Sequence, residues 1–386
     1  MSGPASDKSL LPAGLHDVLP PAAAHEAEVV AGLMATFAGR GYGRVEPPLV
    51  EFETTLVAKE AGGLSEQVFR VMDPVSQRMM GVRADMTLQV ARIAGTRLAN
   101  APRPLRLSYA GQVLRVRGSQ LRPERQFVQA GVELIGSAAA SADIEVATLA
   151  AAALAAVGVG ELTLDLNSPA IVAAVLDAQG LAGEQAGRLR AALDRKDVGA
   201  VRALAGELPG LDTDLLAGLI AVAGPANAAL DKLAALGLPP AADDEIARLR
   251  AVVAGVQEAA PELTVTVDAV EYRGFEYQTG VSFTLFARGV RGELGRGGRY
   301  TLDGGEAATG FTLFLDTVMR ALPAQAPPAC LFLPAGTPPA EAARLRAEGW
   351  SGLAGLEPAA DVRAEARRLG CTHVLIDGAV QALAGD

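Results

Sequence analysis

The stretch "LRLSYAGQVLRVRGSQLRPERQFVQAGVELIG", Leu105 to Gly136, carries the alternation that decides the fold. Apolar and β-branched residues recur at a period of two on either side of a polar loop, Gly118 to Glu124. That pattern predicts two long strands. In the second strand Val128, Ala130, Val132 and Leu134 share one face, and Phe127, Gln129, Gly131 and Glu133 share the other. The first face suits packing on helices. The second offers an amide, a carboxylate and a glycine that leaves room between them, which suits the floor of a pocket for a small polar ligand with an amino group. It equally suits a sheet with one wet face. The first strand aligns Tyr109, Gly111, Val113, Arg115 and Arg117. Two arginines in line match an anionic ligand, because guanidinium forks fit carboxylate and phosphate oxygens; an exposed basic strand end is the plainer reading.

Working outward, Pro20-Pro21 opens a helical stripe of Val29, Val30, Leu33, Met34 and Phe37 that stops at Gly39 and Gly41. "GYGRVEPPLVE" is then extended, since Pro47 and Pro48 forbid helix. In "VRADMTLQVARIAG" (Val82 to Gly95), Thr87 is placed to cap a helix that begins at Leu88 and ends before Pro102. A second helix is predicted over about Ala142 to Val157 and a strand over Leu162 to Leu166. Helices broken by Gly and Pro follow over about 168–262. Strands return at Leu263 to Val270 and Gly280 to Phe286, and a helix closes this part at about Leu313 to Leu322. Residues 323–329 read as a linker by composition, and 330–386 as a small strand–helix unit. The glycines of "RGELGRGGRY" (Arg291 to Tyr300) fit neither a phosphate-binding loop nor a dinucleotide fingerprint and read as a tight turn between strands.

The bulk properties narrow the function classes. The chain has 386 residues, 50% hydrophobic and 20% charged, enough to build sizeable cores over two or three domains. A net charge of −10 argues against a protein that coats nucleic acid through a basic surface. Two cysteines, Cys330 and Cys371, leave no disulfide scaffold and no cysteine zinc site, and the three histidines are scattered. No metal or cofactor is predicted. The first residues carry no apolar run, and the apolar stretch Val146 to Val159 reads as a buried helix rather than a membrane span. The expectation is a soluble cytoplasmic protein.

Polar groups on separate segments then form a set. Asp85 either sits in a helix's first turn or accepts an ammonium. "EYRGFEYQTGVSFTLF" (Glu271 to Phe286) holds Arg273, Tyr277 and Thr279 at even spacing, unless Gly274 marks a bulge that breaks the phase. Acid, amide, arginine and tyrosine, with no histidine, cysteine or activated serine among them, look like an amino-acid binding site rather than a nucleophile–base site.

These segments, in this order, resemble the class II histidyl-tRNA synthetase core over most of residues 10–320. "GYGRVEPPLVE" is similar to motif 1, with Pro48 in the motif's proline position, and "RADMT" (Arg83 to Thr87) stands where synthetases have R-P-E-G-T. Leu107 to Gly136 resembles motif 2, with Arg115 in the arginine position. "RGFEYQTGVSF" (Arg273 to Phe283) is similar to the histidine-specific R-G-L-D-Y-Y-T-G-T-V-F segment. The resemblance implies an α+β fold. It consists of a class II aminoacyl-tRNA synthetase-like antiparallel sheet with flanking helices over residues 1–322, a helical insertion, and a small C-terminal α/β domain. There are departures. Arg117 replaces the motif 2 glutamate, Gln278 replaces the second tyrosine of the histidine segment, and Phe314-Leu315-Asp316-Thr317 stands where motif 3 has G-L-E-R. The C-terminal unit is short for an anticodon-binding domain.

The chain is thereby similar to the ATP phosphoribosyltransferase regulatory subunits, with which it shares "RADMTLQVARIA", "SYAGQVLR…QAGVELIG" and "ALDRKD" (Ala192 to Asp197). That resemblance implies a non-catalytic partner of the short-form catalytic subunit in the first step of histidine biosynthesis, in a cytoplasmic hetero-oligomer. It also implies self-association as a dimer through motif 1 and L-histidine as an effector. By resemblance, the histidine-binding residues are Asp85, Thr87, Arg115, Gln129, Glu133, Arg273 and Tyr277. A histidyl-tRNA synthetase and a free-standing histidine-binding paralogue are the alternatives.

Overall fold

The computed structural model describes residues 10–56, 62–119, 122–208, 210–271, 278–302, 304–323 and 329–383. The chain divides into two units between Pro323 and Ala324. The first begins with α1 (Ala22–Gly39), β1 (Gly43–Arg44), β2 (Val50–Phe52), α2 (Glu53–Leu56), β3 (Phe69–Met72), β4 (Met79–Val82) and α3 (Thr87–Gly95). The two predicted long strands are β5 (Leu105–Leu114) and β6 (Gln126–Ile135), followed by α4 (Ala140–Ala156) and β7 (Leu162–Asn167). The insertion runs through α5 (Pro169–Ala178), α6 (Gly183–Asp194), α7 (Val198–Glu207), α8 (Thr213–Ile220), β8 (Ala223–Pro225), α9 (Ala226–Ala235) and α10 (Asp243–Ala259). The unit closes with β9 (Thr264–Asp268), β10 (Gln278–Ala287), β11 (Gly295–Thr301), β12 (Ala307–Phe314) and α11 (Leu315–Ala321).

A nine-stranded sheet in the order β1-β5-β6-β12-β11-β10-β7-β9-β8 organises this unit. The run from β5 to β7 is antiparallel throughout, while β1–β5 and β7–β9 are parallel. Strands β2, β4 and β3 make a separate small sheet. The period-two reading of β6 describes its two environments. Val128, Ala130, Val132 and Leu134 belong to the large core shared with α1, α4 and the insertion. Phe127 and Ile135 belong to a second core with Tyr109, Val113, Tyr300 and Phe314, closed by Met86 and by Val90 and Ala94 of α3. Helix α1 buries Val29, Leu33 and Phe37, one residue per turn, and the Phe37 ring meets Phe311 of β12 edge-on at 5.5 Å. The Ala-rich α4 lies against the sheet and against both α1 and α10. Small side chains let it be buried on more than one side.

Several expectations need correction. Thr87 does not cap α3; the side chain that meets the helix start is Asp85, whose Oδ1 accepts from Thr87 N at 2.9 Å. The helix ends at Gly95 rather than near Pro102. The glycine-rich stretch is a turn only in its first part: Gly292, at φ 91°, lies in the connection between β10 and β11, whereas Gly295, Gly297 and Gly298 lie within β11. A Cβ at Gly297 would come within 2.4 Å of Gly310 O and 2.5 Å of the Phe283 ring, so the close approach of β12 and Phe283 excludes a side chain there. The insertion is not wholly helical, because β8 pairs with β9 at the sheet edge. Three residues are too few to show a period of two.

The second unit holds a four-stranded sheet, with β13 (Cys330–Leu333), α12 (Pro339–Ala347), β14 (Ser351–Ala354), α13 (Val362–Arg368), β15 (His373–Ile376) and β16 (Ala379–Ala382). Strand β13 is parallel to both β14 and β15. Leu331 and Leu333 pack with Leu345 and Leu375, while Phe332 packs with Ala366, Cys371 and Val374.

Candidate functional site

The polar face of β6 opens into a small cavity lined among others by Asp85, Thr87, Glu133, Gln278, Tyr300 and Phe314. Sheet register explains why it lies here. Gly310 of β12 pairs on one side with Glu133 and on the other with Gly298 of β11, so two glycines continue the row that carries the acid. A Cβ on Gly310 would stand 1.8 Å from Glu133 Oε2. A Cβ on Gly131 would stand 2.6 Å from the Tyr109 hydroxyl. Glycine is required at both positions because polar side chains lie flat across the sheet.

Glu133 is 1% exposed and held by two phenols. Tyr300 donates to Oε2 at 2.8 Å and Tyr109 to Oε1 at 3.3 Å. The Tyr109 hydroxyl also meets Thr312 Oγ1 at 2.7 Å and Thr87 Oγ1 at 3.2 Å. Burial pushes the Glu133 carboxyl up to about 8, because loss of water outweighs the stabilising hydrogen bonds. Beside it Gln129 is locked in both directions. Its Nε2 donates to Asp85 Oδ2 at 2.9 Å and its Oε1 accepts from Met86 N at 3.1 Å. Asp85, Thr87, Gln129 and Glu133 therefore form one hydrogen-bonded floor with the phenols between them. A cation placed beside this carboxyl would favour its ionised form and oppose the effect of burial.

Arg115 follows directly on β5, which ends at Leu114, and keeps to the face of Tyr109 and Val113, beside Phe127 and Phe314. Its Nε donates to Ala84 O at 3.2 Å, and its guanidinium lies 5.0 Å from the Phe127 ring centre and 5.9 Å from that of Phe314. Burial lowers its pKa to about 10, partly opposed by Asp85. Its Nη2 is buried with no hydrogen-bond partner among the described residues. Arg273 and Tyr277 lie outside the described residues. Thr279 is exposed, 3.5 Å from Thr301 Oγ1, and does not line the cavity. The register irregularity of this segment falls between Gln278 and Ser282.

Sequence reasoning missed several members of the site. Tyr300 was hidden in the glycine-rich stretch, although counting by two from Gly298 places it beside the cavity. Thr312 and Phe314 follow from Gly310 by the same count. Arg122, in the loop between β5 and β6, stacks on Phe314 at 3.7 Å. Its Nε lies 3.1 Å from Asp316 Oδ2, off the angle a hydrogen bond needs. No periodicity reaches a loop residue.

A second acidic group lies where β7 and β9 end. Oxygens of Asp165, Asp268 and Glu271 come within 4.8 Å of one another. Lys196, from the helical insertion, forms an ion pair with Asp268, so the group has a cation of its own. Among the described residues no helix is long and apolar enough to cross a membrane.

The histidyl-tRNA synthetase family pattern matches residues 14–318. An ATP phosphoribosyltransferase regulatory subunit from Rhodospirillum centenum is 58% identical over 97% of this chain and 96% of its own. Among solved structures, an ATP phosphoribosyltransferase regulatory subunit/histidyl-tRNA synthetase from Bacillus halodurans superposes with a TM-score of 0.80 at 28% identity, covering 95% of this chain and 97% of that one. A chain of the ATP phosphoribosyl transferase (HisG:HisZ) complex from Thermotoga maritima shares the fold, with a TM-score of 0.60 at 18% identity over 75% of this chain and 97% of that one. With a histidyl-tRNA synthetase-like sheet, a buried acid–amide floor and relatives aligned over nearly its whole length, the chain belongs to the family of ATP phosphoribosyltransferase regulatory subunits.

Proposed function

We propose that this chain is the non-catalytic regulatory subunit of ATP phosphoribosyltransferase. It assembles with the short-form catalytic subunit, makes it active in the first step of histidine biosynthesis, and carries feedback by histidine. The observation that carries the non-catalytic part is the state of the motif 3 position. Thr317 stands where synthetases carry the arginine that meets ATP; it is 1% exposed, and its hydroxyl accepts from Arg320 Nη2 at 3.1 Å. Phe314 stands in place of a glycine, its ring stacked on Arg122 and edge-on to Phe127 at 6.1 Å. By the resemblance, an aromatic ring fills space beside the amino-acid pocket and the phosphate-neutralising guanidinium of motif 3 is replaced by a hydroxyl. Losing one such transition-state donor commonly costs about 10²–10³ in rate.

The pocket floor supports histidine as its ligand. Asp85 and Glu133 supply acceptors for an ammonium, and Gln129 fixes Asp85. Arg115 offers a buried, unpartnered Nη2 to a carboxylate. Arg273 is the other candidate for that role, with Thr87 and Tyr277 as wall. In this reading the protein is cytoplasmic and dimerises through the Pro48 region.

The test combines the purified chain with the short catalytic subunit and follows phosphoribosyl-ATP formation with and without histidine. Activity appearing only with both chains, and falling with histidine, is the expected result. Histidine-dependent ATP–pyrophosphate exchange by this chain alone would instead make it a synthetase.

A further inference from the structure

We propose that Cys330 and Cys371 form a reversible disulfide site that staples the second unit. These are the two cysteines of the chain, so neither has a competing partner within it. Both are free thiols in the structure, with their sulfur atoms 2.9 Å apart. A covalent bond would bring them to roughly 2.05 Å, a movement of less than one ångström.

The backbone already holds the two positions together. Cys330 opens β13, and Cys371 lies between α13 and β15, its N–H bonded to Ala366 O at 2.9 Å. Strand register sets Leu331 beside His373. One residue earlier, Thr372 N donates to Cys330 O at 2.9 Å, and Cys330 N donates to Thr372 Oγ1 at 3.1 Å. The contact is therefore a product of sheet pairing rather than of two loose side chains meeting. It joins positions 41 residues apart, enclosing α12, β14 and α13.

The two thiols have different access. Cys330 is half-buried, whereas Cys371 is 6% exposed and packs with Phe332, Ala366 and Val374. Burial, with a contribution from Cys330, pushes the Cys371 thiol up to about 12, so it stays protonated while both are reduced. Cys330 is accordingly the first to react. Its thiolate attacks one sulfur of a small-molecule disulfide such as oxidised glutathione; that S–S bond breaks and one small thiolate leaves. The departing thiolate takes the Cys371 proton, and Cys371 Sγ attacks Cys330 Sγ, expelling the second small thiol. The two cysteines give up two protons and two electrons, and the small disulfide is reduced to two thiols.

The test uses the full chain equilibrated with excess oxidised glutathione, quenched in acid, and examined by intact mass and peptide mapping. The expected product is lighter than the reduced chain by two hydrogen atoms, carries no glutathione, links the Cys330 and Cys371 peptides, and reverts fully with reduced glutathione. In Cys371→Ser the same treatment should leave glutathione on Cys330, because no resolving thiol remains. Free thiols at both positions, or the same retained adduct in wild type and Cys371→Ser, would overturn the site. Hydrogen exchange tests the staple without any variant. Closing a loop of this length restricts the unfolded chain, so peptides within 331–370 should exchange at least about tenfold more slowly in the bridged form. Equal exchange in both forms would overturn the stapling.

Discussion

Glu133→Gln separates the cost of the buried acid from its use. The wild-type carboxyl titrates at about 8 in the folded chain against 4.5 in water, and its burial is the leading cause. The folded state therefore holds the proton more tightly than the unfolded state. Stability from this group is complete below pH 4.5 and is lost as pH rises through about 8. At roughly 1.4 kcal/mol per pH unit, the interval corresponds to a ceiling of about 5 kcal/mol. Relaxation and water entry around a buried carboxylate bring the expected value to about 2–4 kcal/mol. A glutamine fills the same volume, takes the Tyr300 hydrogen bond, and does not titrate.

Urea unfolding of both proteins at pH 5 and pH 8.5 measures the difference, since other titrations cancel between them. Near pH 5 the two should lie within about 1 kcal/mol. At pH 8.5 the variant should be the more stable by about 2–4 kcal/mol. At the same pH it should bind histidine roughly tenfold or more weakly, because the ammonium loses a charged acceptor worth about 1.5–3 kcal/mol. Calorimetry adds a further check: below pH 8, histidine binding to wild type should release a proton that the variant does not. A stability difference constant across pH within about 0.5 kcal/mol would refute the account of Glu133 as an acid stored at a folding cost. Unchanged histidine inhibition of the assembled enzyme would move the feedback site out of this pocket while leaving the family unchanged.

Three other outcomes are expected. Gly310→Ala should destabilise by about 1–3 kcal/mol and abolish histidine binding, because the new Cβ meets Glu133 Oε2 and, at 2.5 Å, the Val132 carbonyl; denaturation and calorimetry read both effects. Arg299→Met should cost about 3–5 kcal/mol in denaturant unfolding. It strips buried Asp143 of an ion pair at 2.9 Å and frees the carbonyls of Ser137 and Ala139. Light scattering of the isolated chain should give the mass of a dimer at micromolar concentration, and a strictly monomeric mass would count against the Pro48 contact.

How far the sequence could be read depended on where a strand was running. Along β6 the period of two assigned every residue from Phe127 to Leu134 to its face, and the two cores lie on the predicted sides. The same rule still serves for Arg115, one residue past the end of β5, whose guanidinium lies beside Phe127 and Phe314 on the predicted side, but it does not reach Arg122 in the loop. Thr87 was misread because Asp85 Oδ1 meets its N–H and frees its hydroxyl to face Tyr109. A cap prediction weighs each residue's own oxygen, not that of the residue two positions before it.

The glycine-rich stretch shows how the remaining site residues become legible. Glycine has low β-propensity, and several together suggest a turn. That argument changes when the neighbouring strand carries a buried acid. Glu133 occupies volume over the sheet that would otherwise belong to a side chain of β12, which runs past it only if Gly310 stands there. Gly298 in the next strand is kept by Ser282 and Gln278, which a Cβ would meet at 2.7 Å and 3.0 Å. An acid at a pocket position thus predicts a glycine opposite it in the adjoining strand. Counting by two away from Gly310 and Gly298 then returns Tyr300, Thr312 and Phe314, the residues whose hydroxyls and ring complete the cavity. The acid and the glycine facing it are one device: neither is explained alone, and together they locate the cavity.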